Sequence, residues 1–203
     1  MNKNMIRESL QKPLLVSCGI LQQEIQALIS HEDIRAEAVF LSKYLHVDYR
    51  KLHKALKASL RKHDDRRPVV VYGDVCLGFN GEMKALMTEC DVLKVNALNC
   101  IDCLLGGQGK LLEMDPDHRM FFLTPAFLEF SESLVSRSRE ENRLRFKMLE
   151  GIIVVDSLGD MARHWSRVEH FSDQTGLPVI EHLTVGLTGL KTVIEEALQR
   201  TCQ

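Results

Sequence analysis

The sequence predicts an α/β protein: a single domain built on a mostly parallel sheet flanked by helices, Rossmann-like in arrangement. Three observations carry that expectation. Short runs rich in valine, isoleucine and leucine recur along the chain, most of them are followed by apolar residues at helical spacing, and glycine, cysteine or an acid stands at many of the junctions. Strands that alternate with helices pair in parallel through right-handed crossovers, so their carboxyl ends share one edge. Ligands of α/β proteins gather there.

Length and charge narrow the class. The chain has 203 residues, 45% hydrophobic and 27% charged, which suits one full core. The expected plan is a flexible N-terminal lead over residues 1–12 and a single α/β domain over 13–203. A net charge of -2, with basic residues scattered among acids, provides no footprint for nucleic acid. No apolar run approaches the roughly 18 residues that span a bilayer, and the start lacks a signal core, so neither membrane nor secretion is expected. The expectation is a cytoplasmic protein in which a homo-oligomer is allowed. Six cysteines in that compartment read as thiols or metal ligands rather than disulfides.

Taken in order, a strand at 14–17 leads through Cys18-Gly19 into a helix over about 19–30, carried by Leu21, Ile25, Leu28 and Ile29. A second strand covers 36–41. After Tyr44-Leu-His46-Val, Asp48 is the expected N-cap of a helix bearing Leu52, Ala55, Leu56 and Leu60. The apolar run from Val69 breaks into Gly73-Asp-Val-Cys76-Leu-Gly78, a strand ending in a tight turn. A short helix over about 80–88 and a strand over 92–97 precede Cys100-Ile-Asp-Cys103, whose spacing puts both sulfurs on one helical face. Gly106-Gly-Gln-Gly-Lys110 lacks the frame of a phosphate-binding loop and reads as a plain loop. The strand at 120–123 enters a helix capped by Thr124 with Pro125 in its first turn, and the charged stretch after it reads as its continuation to about 149. The strand 152–155 ends at Asp156, a helix holds Leu158, Met161, Trp165 and Val168 and closes at Gly176, a last short strand at 178–180 precedes His182, and a final helix uses Leu190, Val193, Ile194, Ala197 and Leu198.

The residues at the strand ends point to function. Cys18, His46, Cys76, Cys100, Thr124, Asp156 and His182 all fall there, and the three cysteines hold equivalent positions. Cys18, Cys76 and Cys100 are the expected metal ligands, with His46, Cys103, Asp156 and His182 as possible additions. Three thiolates suit zinc with one position left open, or an iron–sulfur cluster, and spacing does not choose. Buried cysteines that act as small hydrophobes are the bland alternative. Two other functions stay open: a metal-free enzyme with Cys76 or Cys100 as nucleophile and His46 or His182 as base, and an accessory or chaperone protein that docks through the charged 125–149 helix. Whether the chain is an enzyme is left undecided.

Tyr72-Gly-Asp-Val-Cys76-Leu-Gly78, Asn99-Cys100-Ile101 with Leu104-Leu-Gly106, and Phe122-Leu-Thr124-Pro125 together resemble the family called domain of unknown function 1638. Ser17-Cys18-Gly19, Leu45-His46 and Val155-Asp156 extend the resemblance over nearly the whole chain. It implies a single α/β domain and a setting among corrinoid-dependent methyltransferases, which would make corrinoid or methyltransferase proteins its partners. Cys18, Cys76 and Cys100 match that family's cysteines, and His46 matches its Leu-His pair. Leu98-Asn99 stands where the resemblance has His-Asp, and Cys103 lies outside the pattern.

Overall fold

The computed structural model describes residues 11–131, 134–136 and 138–201, so the N-terminal lead and Cys202 lie largely or wholly outside the described residues. It has the expected parallel α/β class, with its strands in two three-stranded parallel sheets flanked by helices. The contacts divide the chain into two compact units, residues 1–95 with 194–203, and residues 96–193.

In the first unit β1 (Leu14–Cys18) is central, with β2 (Glu37–Leu41) on one side and β3 (Val69–Val71) on the other. Both pairings are parallel. Every residue of β1 is buried, the pattern a strand shows when it has neighbours on both edges and cover on both faces. Helix α1 (Gln22–Ser30) buries Ile25 and Leu28, while α2 (Tyr49–Lys62) buries Leu52, Leu56 and Leu60. Asp48 caps α2 as its position predicts, its Oδ1 accepting from the Arg50 and Lys51 N–H groups at 3.1 Å each. Helix α3 (Glu82–Cys90) buries Met83, Leu86 and Met87 and is tied to α2 by Lys57 to Glu89 at 2.5 Å.

The order β2-β1-β3 means that the chain leaves β1 toward one side and returns on the other. The carboxyl ends of β1 and β3 flank that reversal, the position where an open parallel sheet leaves a crevice. The strand expected over 92–97 is reduced to one parallel bridge, Val70 to Lys94, made by Val70 N–H to Leu93 O (2.8 Å) and Val95 N–H to Val70 O (3.0 Å). Its partner is too short for more: β3 ends at Val71, and a 3₁₀ turn forms at Asp74–Leu77.

The second unit opens with α4 (Cys100–Leu105) and α5 (Lys110–Met114) and continues into a sheet of β4 (Met120–Leu123), β5 (Gly151–Asp156) and β6 (Val179–Thr184) in sequential order. Leu123, Leu128, Phe146, Ile152, Val154, Met161, Val168, Phe171 and Leu177 make its core. Phe121 meets Phe146 edge-on at 5.7 Å and Phe171 at 5.1 Å, spacings at which aromatic rings attract. Val168 and Phe171 belong to α8 (Trp165–Thr175), which comes after a 3₁₀ turn at Met161–His164 and ends at Gly176.

Two sequence expectations change here. The charged helix over 125–149 is replaced by α6 (Pro125–Ser131) and α7 (Arg139–Arg145). Serine and asparagine side chains between them bond the backbone instead of leaving it to the helix: Asn142 Oδ1 accepts from Ser136 N–H at 2.7 Å, its amide donates to Ser136 O at 3.0 Å, and Ser138 caps α7 through Glu141 N–H at 3.3 Å. Thr124 does cap α6 as expected, accepting from Phe127 N–H at 3.2 Å. The last strand, expected to stop at Ile180, runs on to Thr184, so His182 is within β6 and not beyond it. Helix α9 (Thr188–Arg200) closes the described chain.

Candidate metal centre

Cys18 is the last residue of β1 and the N-cap of a 3₁₀ turn at Gly19–Leu21. Its Sγ accepts the Ile20 N–H at 3.4 Å, and it is fully buried. Free N–H groups at a helical start favour the thiolate over the thiol. Facing it, His46 sits in the 3₁₀ turn Lys43–Val47 just after β2, with Nε2 2.8 Å from the sulfur. Gly19 makes the approach possible: a Cβ there would lie 2.7 Å from Leu41 O and 3.0 Å from Lys43 N, both backbone atoms. Only a residue without a side chain lets the end of β1 pass this close to the end of β2.

Charge supports the pair. Burial alone pushes the His46 imidazole toward its neutral form, but the hydrogen bond to Cys18 and the charges of Cys18 and Cys76 outweigh it, so its pKa rises above the ordinary value. That is the direction in which a thiolate–imidazolium pair is stabilised. The Tyr72 ring, fully buried just past β3, stacks on the imidazole with centroids 6.5 Å apart and planes 27° apart. Cys76 lies buried in the 3₁₀ turn after β3, close enough for its charge to act on His46.

Cys100 begins α4 in the second unit, and Cys103 stands one turn on; both are buried. Asn99 caps the helix, its Oδ1 accepting from Asp102 N–H at 2.9 Å. Asp102 has no exposed surface and accepts from Leu98 N–H (2.8 Å), Gly109 N–H (3.1 Å) and Leu111 N–H (2.9 Å). The glycine stretch at 106–109 is therefore a loop folded around a buried carboxylate, in keeping with its reading as a plain loop. Leu98-Asn99 here supplies a backbone donor and a cap.

Asp156 holds a loop in place as well. Its oxygens accept from Gly159 N–H (2.7 Å), Asp160 N–H (3.2 Å) and Met161 N–H (3.3 Å). His182 Nε2 stands 3.8 Å from Asp156 Oδ2, beyond hydrogen-bond reach, and its ring lies 5.7 Å from Trp165. Among the strand-end residues, then, the structure brings Cys18 and His46 together with Cys76 beside them, while Thr124 and Asp156 organise backbone. Sequence reasoning missed Tyr72 as the ring on His46 and Asp102 as the clamp of the Cys-x-x-Cys segment. Both carried a signal: an aromatic at a strand end, and an acid inside an apolar helix.

Fold and site define a class first: a parallel α/β protein with a part-buried thiol–imidazole pair at the switch point of its first sheet. The chain belongs to DUF1638, a family described as protein of unknown function, whose model matches residues 40–194. The matched stretch contains His46, Cys76 and Cys100 and begins after Cys18. Neither the curated proteins nor the solved structures contain a match to the chain. Among the described residues no helix is long and apolar enough to cross a membrane.

Proposed function

We propose that the protein is a metal protein in which Cys18, His46 and Cys76, all in the first unit, bind one ion. The observation that carries the reading is the 2.8 Å approach of His46 to Cys18, with Cys76 buried in the turn after β3 and near enough for its charge to act on His46. The donor set fits zinc: two thiols and an imidazole, without a carboxylate, are the ligands a borderline ion takes when three protein groups hold it and a fourth position serves substrate. Zinc at such a position supplies a Lewis acid and lowers the pKa of a bound water or thiol. An iron–sulfur cluster prefers thiolates to imidazole and would draw on Cys18 and Cys76 before His46. A setting in corrinoid-dependent methyl-group metabolism, with corrinoid or methyltransferase proteins as partners, rests on the family resemblance.

Anaerobic purification followed by metal and sulfide analysis tests the proposal. Zinc near one equivalent, lost in Cys18→Ser and His46→Ala, is the expected result; iron with inorganic sulfide selects the cluster instead. Protein that stays colourless and metal-free after reconstitution overturns both.

The 2.8 Å contact also favours a second reading, a metal-free cysteine enzyme. Its nucleophile moves from Cys76 or Cys100 to Cys18, the sulfur that His46 reaches, with His46 as base. Alkylation rates separate the two: a nucleophile reacts fast in untreated protein, whereas a ligand reacts only after chelation.

A further inference from the structure

A cavity of about 480 Å³ opens on the first unit, lined by Tyr49, Arg50, His53, Leu77, Gly78, Phe79, Asn80 and Glu82. It lies between the start of α2 and the turn after β3, three residues on from His46 and one from Cys76 in the chain. That volume falls within the range of small-molecule sites. The cavity combines rings with a guanidinium, that of Arg50. Phe79 is 78% exposed and Tyr49 47% exposed, and both line this one cavity.

Phe79 is presented by a pinned loop. Glu82 accepts from Asn80 N–H at 2.8 Å and from the Asn80 amide at 3.3 Å, and these backbone and side-chain donors, its own N–H first, hold its carboxyl below the usual range. Gly78, at φ 133°, fits against that carboxylate, where a Cβ would approach within 2.8 Å. An exposed ring on a loop this constrained loses little entropy when a ligand stacks on it.

The lining holds one guanidinium, Arg50, and one carboxylate, Glu82, and they are differently committed. Asp48 caps α2 and pairs with Lys51 at 3.4 Å, Asp74 pairs with Lys94 at 2.9 Å, and Glu82 keeps its charge but turns its oxygens to the Asn80 N–H and amide. Arg50 is exposed and makes no ion pair among the described residues, and His53 stands one turn further along α2. Aromatic faces beside an uncommitted guanidinium recognise a flat body that carries a carboxylate or similar anion.

We infer that this cavity binds a small planar organic anion, its flat body against Phe79 and Tyr49 and its anionic group on Arg50. Assigning such an anion as substrate at the carboxyl edge of the first sheet rests on the proposed metal reading for what then happens to it, and not for the binding itself.

The test uses the full chain with 2-naphthoate, its neutral isostere 2-naphthamide and inorganic phosphate as probes, monitored by calorimetry and by amide NMR shifts. Naphthoate should bind about tenfold more tightly than the amide, phosphate alone should bind weakly, and the shifts should centre on residues 49–53 and 77–82. Arg50→Gln should remove the preference for the anion, and Phe79→Ala should weaken both aromatic probes while leaving metal content unchanged. Equal affinity for naphthoate and naphthamide, or shifts centred elsewhere, overturns the inference. Cys18→Ser that loses metal yet keeps naphthoate binding shows the two proposals to be separate, so failure of one is not read as failure of the other.

Discussion

The carboxyl edges of the two sheets look alike in sequence and differ in structure. β1 ends at Cys18 and β5 at Asp156, each a buried strand that finishes in a polar residue followed by a turn. In the first sheet the order β2-β1-β3 reverses at β1, and the residue at its end meets a side chain from another connection, His46 at 2.8 Å. In the second the order β4-β5-β6 runs straight on, and Asp156 spends both oxygens on three N–H groups of its own loop. Both strand-end groups accept from their own loops, but Cys18 takes one N–H at 3.4 Å and also meets a side chain from another connection, whereas Asp156 is taken up by three N–H groups.

The strongest way to break that contrast is to remove the carboxylates of the second unit. Asp102→Ala strips the partner from one buried and two part-buried N–H groups and should cost about 3 kcal/mol, read as a lower unfolding midpoint in denaturant. Asp156→Ala should likewise destabilise while the protein that remains folded keeps its metal content; loss of metal at unchanged stability would make Asp156 a functional group after all.

Next in size is Gly19→Ala. Its Cβ would press on Leu41 O and Lys43 N, so about 1–3 kcal/mol of strain is expected, with reduced metal content because the turn bearing His46 is pushed from Cys18. Unchanged stability and metal content would show that the close approach of β1 and β2 is dispensable. His46→Ala should do the opposite of Asp102→Ala, losing metal and slowing alkylation of Cys18 in the metal-free form, with little effect on folding in the absence of metal.

The smallest effect is a pH dependence. Glu82 has a folded pKa below its ordinary value, so its contribution is present above the unfolded carboxylate range, near pH 4, and is lost as pH falls through the folded value. Glu82→Gln should lower stability slightly at neutral pH and leave strongly acid pH untouched, so that the acid limb of the stability profile near and below about pH 4 is flattened. A profile identical to the parent would show that the carboxylate does not hold the Phe79 loop.

Much of the architecture could be read along the chain. The apolar runs expected as strands at 14–17, 120–123 and 152–155 lie within buried or half-buried strands, Asp48 and Thr124 became caps, and Cys18 and Cys76 fell at or just past strand ends, whereas Cys100 opens α4 after a single bridge. Local chemistry decides these features, so local sequence reveals them. The break between α6 and α7 was masked because its signal, serine and asparagine amid Glu and Arg, is also that of a solvated helix. His182 was misplaced by a similar ambiguity, since β6 is largely exposed and its polar residues resemble a loop.

By itself, then, the sequence determined a parallel α/β protein with cysteines at the turns after two strands and a histidine before a capped helix. Tertiary structure decided which of these side chains face one another. It set strand order, which no spacing encodes, and through Gly19 it set a backbone approach that puts His46 on Cys18. The physical reason is range: caps, turns and periodicity act within a few residues, whereas Cys18 and His46 are brought together across 28 residues by the pairing of β1 with β2.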